Sequence, residues 1–255
     1  MVKCFSYRLI ATLIATLIST LYVFAGAHAN ASELHYSVGG QDFKAHVSQP
    51  AGKSLGKVFI IHDWDGLNQY EKKRADMLAE LGYEAVALDL FGVDAKLEGF
   101  EDYKRETGAL YQNRSEFQSR IAAAVKAASA NSKSDVAEFL IGYCFGGAAV
   151  LEGARMGLDV DGFVSFHGGL ETPEGQDYSQ TKGAVLLLHG SADPVSGMDA
   201  LASTLQQMQK AEITHSAEVY GGARHSFTVQ GSRDYNADAD EKSWQALLRF
   251  LETKQ

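Results

Sequence analysis

Cysteine is scarce in this chain, with only Cys4 and Cys144 among 255 residues. That excludes a disulfide-framed scaffold and a thiolate-rich zinc or iron–sulfur site. There are three prolines and no Pro/Gly/Ser-rich or low-complexity run, so nothing reads as an interdomain linker. No internal repeat is visible. The His residues are scattered without close ligand pairs, and no metal is expected. Basic residues are outnumbered by acidic ones, 23 to 32, for a formal net charge of −9. Nucleic acid and anionic lipid surfaces are poor partners for such a chain.

The first thirty residues differ in kind from the rest. Lys3 and Arg8 precede an apolar run from Leu9 to Phe24, and Ala27-His28-Ala29 supplies the small residues of an A-x-A site. This is the pattern of an export signal, with residues 1–29 removed after Ala29. An uncleaved membrane anchor is the alternative. Thr12, Thr16, Ser19 and Thr20 make the run a weak permanent span. Cleavage takes away Lys3, Arg8 and no acid, moving the formal charge to −11, and it leaves Cys144 as the sole cysteine. An odd cysteine in an exported protein points to a reactive thiol or an intermolecular partner. The expected product is a periplasmic or secreted protein, free of the membrane, with one domain over 30–255.

Within that domain the pattern begins with a β-hairpin, His35–Val38 and Asp42–Val47 around Gly39-Gly40. Short apolar runs then alternate with helix-period segments. Strands are expected at Lys57–Ile61, Ala85–Leu90, Val136–Ile141, Val160–Phe166, Ala184–Leu188 and Ser216–Tyr220. Helices are expected at 70–82, 115–130, 148–156, 197–210 and 239–252, with one or two short helices within 94–113. Continuous apolar strands separated by helices describe a mostly parallel central sheet with helices on both faces, an α/β fold. Ligands in such sheets bind beyond the carboxyl ends of the strands. The polar clusters of the chain all fall at those ends.

The most informative stretch is Phe139 to Gly147, F-L-I-G-Y-C-F-G-G. Strand, G-x-nucleophile-x-G and helix make the nucleophile elbow of α/β-hydrolases, here with Cys144 where Ser is usual. A thiol is partly ionised at neutral pH, and the following helix start favours a thiolate and an oxyanion. A buried structural cysteine is the plain alternative. The order nucleophile, acid, base is completed by Asp193, in a turn after one strand, and by His225, in a loop after the last. Cys144 would attack a carbonyl, His225 would take the thiol proton and later activate water, and Asp193 would hold the imidazole. Two backbone N–H groups are needed for the oxyanion, and Phe145 and Trp64 are the best placed. Tyr143 and His167 are candidate pocket residues, each with a structural role as the alternative.

The motifs I-H-D-W-D-G-L-N at 61–68, D-L-F-G at 89–92, G-Y-C-F-G-G at 142–147, F-H-G-G-L at 166–170, H-G-S-A-D-P at 189–194 and A-R-H-S-F at 223–227 together resemble the dienelactone hydrolase family. The resemblance implies an α/β-hydrolase fold without a large lid. It also implies hydrolysis of a small ester or lactone by a Cys-His-Asp triad, with no cofactor. By motif position that triad falls on Cys144, His225 and Asp193. The family places an acid, usually Glu, after the first core strand, where it keeps the resting thiol protonated. Asp63 stands there in this chain, one methylene shorter, and a loop or capping role is its alternative. Members that act on dienelactone grip the substrate carboxylate with two arginines. This chain has Val93 and Val229 at those places, with Arg224 and Arg233 nearby.

Three other functions fit parts of the pattern. A thioesterase or general carboxylesterase would use the same triad. A redox-sensing thiol would use Cys144 alone, and it lacks a resolving cysteine. A binding protein on a hydrolase scaffold would have no need of all three triad residues. Monomer and dimer both stay open.

Overall fold

The computed structural model describes residues 30–131 and 136–253. The segment expected as an export signal, 1–29, lies outside the described residues.

Two long strands open the described residues, β1 (Asn30–Val38) and β2 (Gln41–Gln49), paired antiparallel around Gly39-Gly40. Next come β3 (Lys57–Ile61), α1 (Gln69–Glu80), β4 (Glu84–Leu88), α2 (Phe100–Gln112), α3 (Arg114–Asn131), β5 (Glu138–Tyr143) and α4 (Phe145–Arg155). The chain continues through β6 (Gly162–Phe166), β7 (Ala184–Gly190), α5 (Met198–Lys210), β8 (His215–Tyr220) and α6 (Ala237–Glu252). One eight-stranded sheet results, in the order β1-β2-β4-β3-β5-β6-β7-β8. From β4 to β8 every neighbouring pair is parallel; β2 joins β4 antiparallel.

The sheet is covered on both faces because its central strands are apolar on both. Successive side chains of a strand point to opposite sides. In β3, Val58 and Ile60 pack with Ala75 and Leu78 of α1 and Trp244, Leu247 and Leu251 of α6. Phe59 and Ile61 pack on the other face with Phe117 and Ile121 of α3, Val150 and Ala154 of α4, and Leu201 and Met208 of α5.

The carboxyl ends of the strands are brought level by register. Ile61 pairs with both Leu88 and Gly142, Tyr143 with Phe166, and Phe166 with Leu188. Loops 62–68, 89–99, 167–183, 191–197 and 221–236 therefore leave the sheet on one edge, around Cys144.

Several boundaries differ from the sequence reading. The elbow strand ends at Tyr143, two residues later than the apolar run suggests, because Gly142 and Tyr143 still pair with β6. Its helix starts at Phe145, since the chain reverses at a single residue. The segment 94–113 holds one helix, α2, packed through Leu110 and Thr107. Both hairpin strands extend beyond the visible alternation, through nine paired residues each.

Candidate active site

Cys144 occupies the one-residue turn between β5 and α4. Its backbone lies at φ 52° and ψ −109°, a region that residues with side chains avoid. Packing dictates its neighbours. A Cβ on Gly142 would stand 2.3 Å from the Gly146 carbonyl oxygen, and one on Gly146 would stand 2.2 Å from that of Ile61. Only glycine fits in either place. The turn is pinned from both sides, by Cys144 N donating to Phe166 O at 3.0 Å and Ala148 N donating to Cys144 O at 3.1 Å.

The residues named from chain order meet here. His225 Nε2 lies 2.9 Å from Cys144 Sγ, and His225 Nδ1 lies 2.8 Å from Asp193 Oδ2. The other oxygen of Asp193 accepts from Val195 N at 2.8 Å and Ser196 N at 3.2 Å, which fixes the carboxylate in its turn. Burial opposes its charge. The hydrogen bond to His225 and the two backbone N–H groups outweigh that and hold the carboxyl below its ordinary range. The loops carrying acid and base are tied together by Ala192 N donating to Ala223 O at 2.9 Å.

A second carboxyl faces the thiol. Asp63 is buried, faces the Cys144 thiol closely enough to act on its charge, and accepts the Trp64 N–H on Oδ1 at 2.5 Å. Burial raises its pKa to about 6, against the pull of Trp64 N–H and of Cys144. Cys144 is itself pushed well above an ordinary thiol, first by burial and then by Asp63, while the N–H groups of Phe145 and Trp64 act the other way. At neutral pH this combination keeps a protonated thiol beside an acid. Those two N–H groups are the ones the sequence reading named for an oxyanion.

Behind Asp63 lies Glu71, which the sequence reading missed. It is fully buried on the first turn of α1. Oε1 accepts from Asp63 N at 3.0 Å and Oε2 from Asn68 N at 3.2 Å. Burial raises its pKa to about 8, against those same N–H groups. Asn68 followed three residues later by Glu is a capping box and was legible as such. Nothing in the sequence tells that this cap sits beneath the thiol.

A cavity of about 390 Å³ opens onto Cys144 and His225. Its walls are Trp64, Thr107, Tyr111, Phe145, Gly169, Val195 and Ser226, and neither lysine nor arginine is among them. Phe145 stacks among Tyr111, Phe117, Phe91 and His62, so its backbone position is set by an aromatic cluster. Val93 is 51% exposed and lines a different cavity. Arg224 and Arg233 are exposed and both pair with Asp234, at 3.1 and 2.9 Å, so neither points into the chamber. Tyr111, Thr107 and Val195 were missed because they come from α2, whose bounds the sequence left open, and from a turn whose direction no local pattern reveals.

Two expectations about the pocket are corrected. Tyr143 does not line the cavity: it is the last residue of β5, fully buried between Tyr70 and Phe166. Strand alternation points it away from the elbow's open side. His167 is also fully buried. Its Nε2 lies 2.8 Å from Thr228 Oγ1, and its ring packs edge-on to His225 at 5.4 Å between centroids. Burial drives its pKa well below the usual imidazole value, so it is a neutral support behind His225 rather than a wall.

Among the described residues no group of three His, Cys, Asp or Glu is arranged to hold a metal ion, and no helix is long and apolar enough to cross a membrane.

An elbow cysteine, a histidine and a buried aspartate aligned beneath an apolar chamber on an α/β sheet suit acyl-transfer chemistry. A model of the dienelactone hydrolase family matches residues 43–255. The chain belongs to this family. It is accordingly a hydrolase, of a family that acts on small lactones and esters. A carboxymethylenebutenolidase of Pseudomonas putida is 27% identical over 227 residues, covering 84% of this chain and 93% of that one. A solved dienelactone hydrolase-like promiscuous phosphotriesterase from metagenomic libraries superposes with a TM-score of 0.83 at 28% identity, covering 89% of this chain and 99% of that one. An acylaminoacyl peptidase of Pyrococcus horikoshii, 14% identical with a TM-score of 0.68 over 89% of this chain and 42% of that one, shares the fold alone.

Proposed function

We propose that this protein hydrolyses a small, uncharged ester or lactone through an acyl-cysteine intermediate on Cys144. The observation that carries the reading is the unbroken line Cys144 Sγ, His225, Asp193, at 2.9 and 2.8 Å, opening into a chamber without a cationic side chain.

The steps follow from the geometry. A carbonyl carbon enters beside Cys144, and His225 Nε2 takes the thiol proton as sulfur attacks. The carbonyl oxygen, now negative, is stabilised by the N–H groups of Phe145 and Trp64. Trp64 N–H is freed for this as the Asp63 carboxyl turns away. The C–O bond breaks and the alkoxide leaves with the proton held by His225. Water then gives a proton to the same nitrogen and attacks the thioester; the acid product departs and the thiolate is reprotonated. Asp193 stays ionised and keeps Nδ1–H in place throughout.

The absence of Lys and Arg from the walls favours a neutral substrate. A carboxylate would be desolvated there without a partner. Export is part of the proposal on the strength of the leader pattern alone. It is checked by the mass of the protein recovered outside the cytoplasm, which should begin at Asn30.

The test uses p-nitrophenyl esters, neutral lactones, carboxylated counterparts and a phosphotriester, the last because a similar solved chain is named for that activity. Neutral esters should turn over at least ~10-fold better in kcat/KM than carboxylated ones. Cys144→Ala should abolish turnover, and intact mass should find the acyl group on Cys144. Turnover that survives Cys144→Ala, or oxidation of Cys144 without turnover of any ester, would replace this reading with a non-covalent or redox one.

A further inference from the structure

We infer that Glu71 is a positioning residue for the Cys144 site. From α1 it clamps both ends of the 63–68 turn and thereby sets where the Trp64 N–H and the Asp63 carboxyl meet the sulfur. The inference rests on the reading of Cys144 as the acyl-accepting thiol, and it concerns a residue outside the triad and outside the acid position after β3.

Three observations carry it. First, the two oxygens of Glu71 are spent on backbone N–H groups five residues apart, Asp63 N at 3.0 Å and Asn68 N at 3.2 Å. An ordinary capping box needs only the second. The first reaches across the turn to the residue that touches the thiol. Second, the carboxyl is fully buried, and among the described residues no cation is bonded to it. A buried acid used merely as a cap is a costly device, since a surface cap does the same for a helix start. Third, none of the turn's other bonds reaches Asp63 N: His62 Nδ1 meets Asp63 O at 2.6 Å and Trp64 N donates to Asp63 Oδ1 at 2.5 Å. Gly66 N donates to Asp63 O at a long 3.3 Å, and Asn68 Nδ2 donates to Gly66 O at 3.3 Å. Take Glu71 away and Asp63 N is a buried donor with no acceptor, so the peptide before Asp63 loses its anchor and the residue that bears the carboxyl and precedes Trp64 N–H is free to shift.

Backbone donors for an oxyanion must hold their position to within a fraction of an ångström. Misplacement by about 1 Å costs on the order of 100-fold in rate. The same displacement carries the Asp63 carboxyl off the thiol. Glu71 therefore acts through Asp63 and Trp64, and it touches neither substrate nor sulfur.

The test compares Glu71→Gln, which keeps one carbonyl acceptor, with Glu71→Leu, which keeps volume and loses both. Each is prepared as the whole protein and checked for folding by thermal melting. With a p-nitrophenyl ester, kcat should fall about 10-fold in Glu71→Gln and about 100-fold in Glu71→Leu, with KM within ~3-fold of the parent. The pH profile of Cys144 alkylation by iodoacetamide should move to lower pH in both, as the thiol loses the nearby acid. A purely structural cap would lower the melting temperature and leave the alkylation profile in place. That result, or unchanged kcat in folded variants, overturns the inference. If Glu71→Leu does not fold, Glu71→Gln alone decides. If the parent hydrolyses none of the esters, the proposed function fails, and the alkylation profile still answers for Glu71 because it needs no substrate.

Discussion

Asp63 accepts a hydrogen bond from the backbone N–H of Trp64, its neighbour in the chain, at 2.5 Å on Oδ1. One side chain thus occupies an oxyanion donor and presses against the thiol that would generate the oxyanion. The resting site is closed on itself, with acid, donor and sulfur satisfying one another.

Asp63→Asn removes the charge and keeps the acceptor. Of the influences on Cys144 after burial, Asp63 is the largest, and it raises the thiol pKa. The substitution should therefore lower that pKa. Alkylation of Cys144 at pH 7 should become roughly tenfold faster, because the thiolate is the reacting form. An unchanged rate across pH 6–9 would mean that Asp63 does not restrain the thiol.

The same buried acids leave a mark on stability. Asp63 rises from an ordinary 3.8 to about 6 on folding, and Glu71 from 4.5 to about 8, burial being the largest cause in each. Between about pH 4 and 8 these two groups therefore hold more protons in the folded chain than in the unfolded one, while His62, His167 and His189, lowered by burial, act the other way. Stability falls as pH rises wherever the native state holds the extra protons. From these two groups the melting temperature should be higher near pH 5 than near pH 8. Asp63→Asn and Glu71→Gln should each flatten the decline, measured by calorimetry across that range.

Arg74 supports the other side of the site. Its guanidinium pairs with Asp240 at 2.5 Å and donates to Thr228 O at 3.0 Å, three residues from His225. Thr228 Oγ1 in turn meets Tyr70 at 2.6 Å and His167 at 2.8 Å. Arg74→Met should cost about 3 kcal/mol, because it strands Asp240 in a largely buried place. Adding Asp240→Asn should recover part of that loss in denaturant titrations. A double variant no more stable than Arg74→Met would show that the lost Thr228 contact, not the stranded charge, carries the cost.

Sequence reading reached the sheet and the line of Cys144, His225 and Asp193 for identifiable reasons. Strands such as β3 are apolar at every position because helices cover both faces. G-x-C-x-G leaves the backbone almost no other conformation. The reading faltered where the decisive quantity is direction rather than type. Tyr143 adjoins the nucleophile in sequence, yet pleating sends its ring into the opposite core. His167 follows a strand end as functional residues do, yet it packs behind His225. Glu71 looks like a routine cap until the burial of α1 beneath the elbow is known. Val195 and Tyr111 converge on one chamber from elements far apart in the chain, and no local pattern encodes that meeting.

Glu71 and Arg74 stand three residues apart on α1, so one helical turn holds the loop carrying Asp63 and the loop carrying Thr228 and His225. The helix works as a gauge block between loops drawn from opposite ends of the sequence. A residue inserted between the two would rotate one against the other by about 100°. Neither loop need change for the two halves of the site to lose their alignment. An insertion is therefore barred from this turn by the alignment of the site, quite apart from the core packing of Ala75 and Leu78 on the turns that follow.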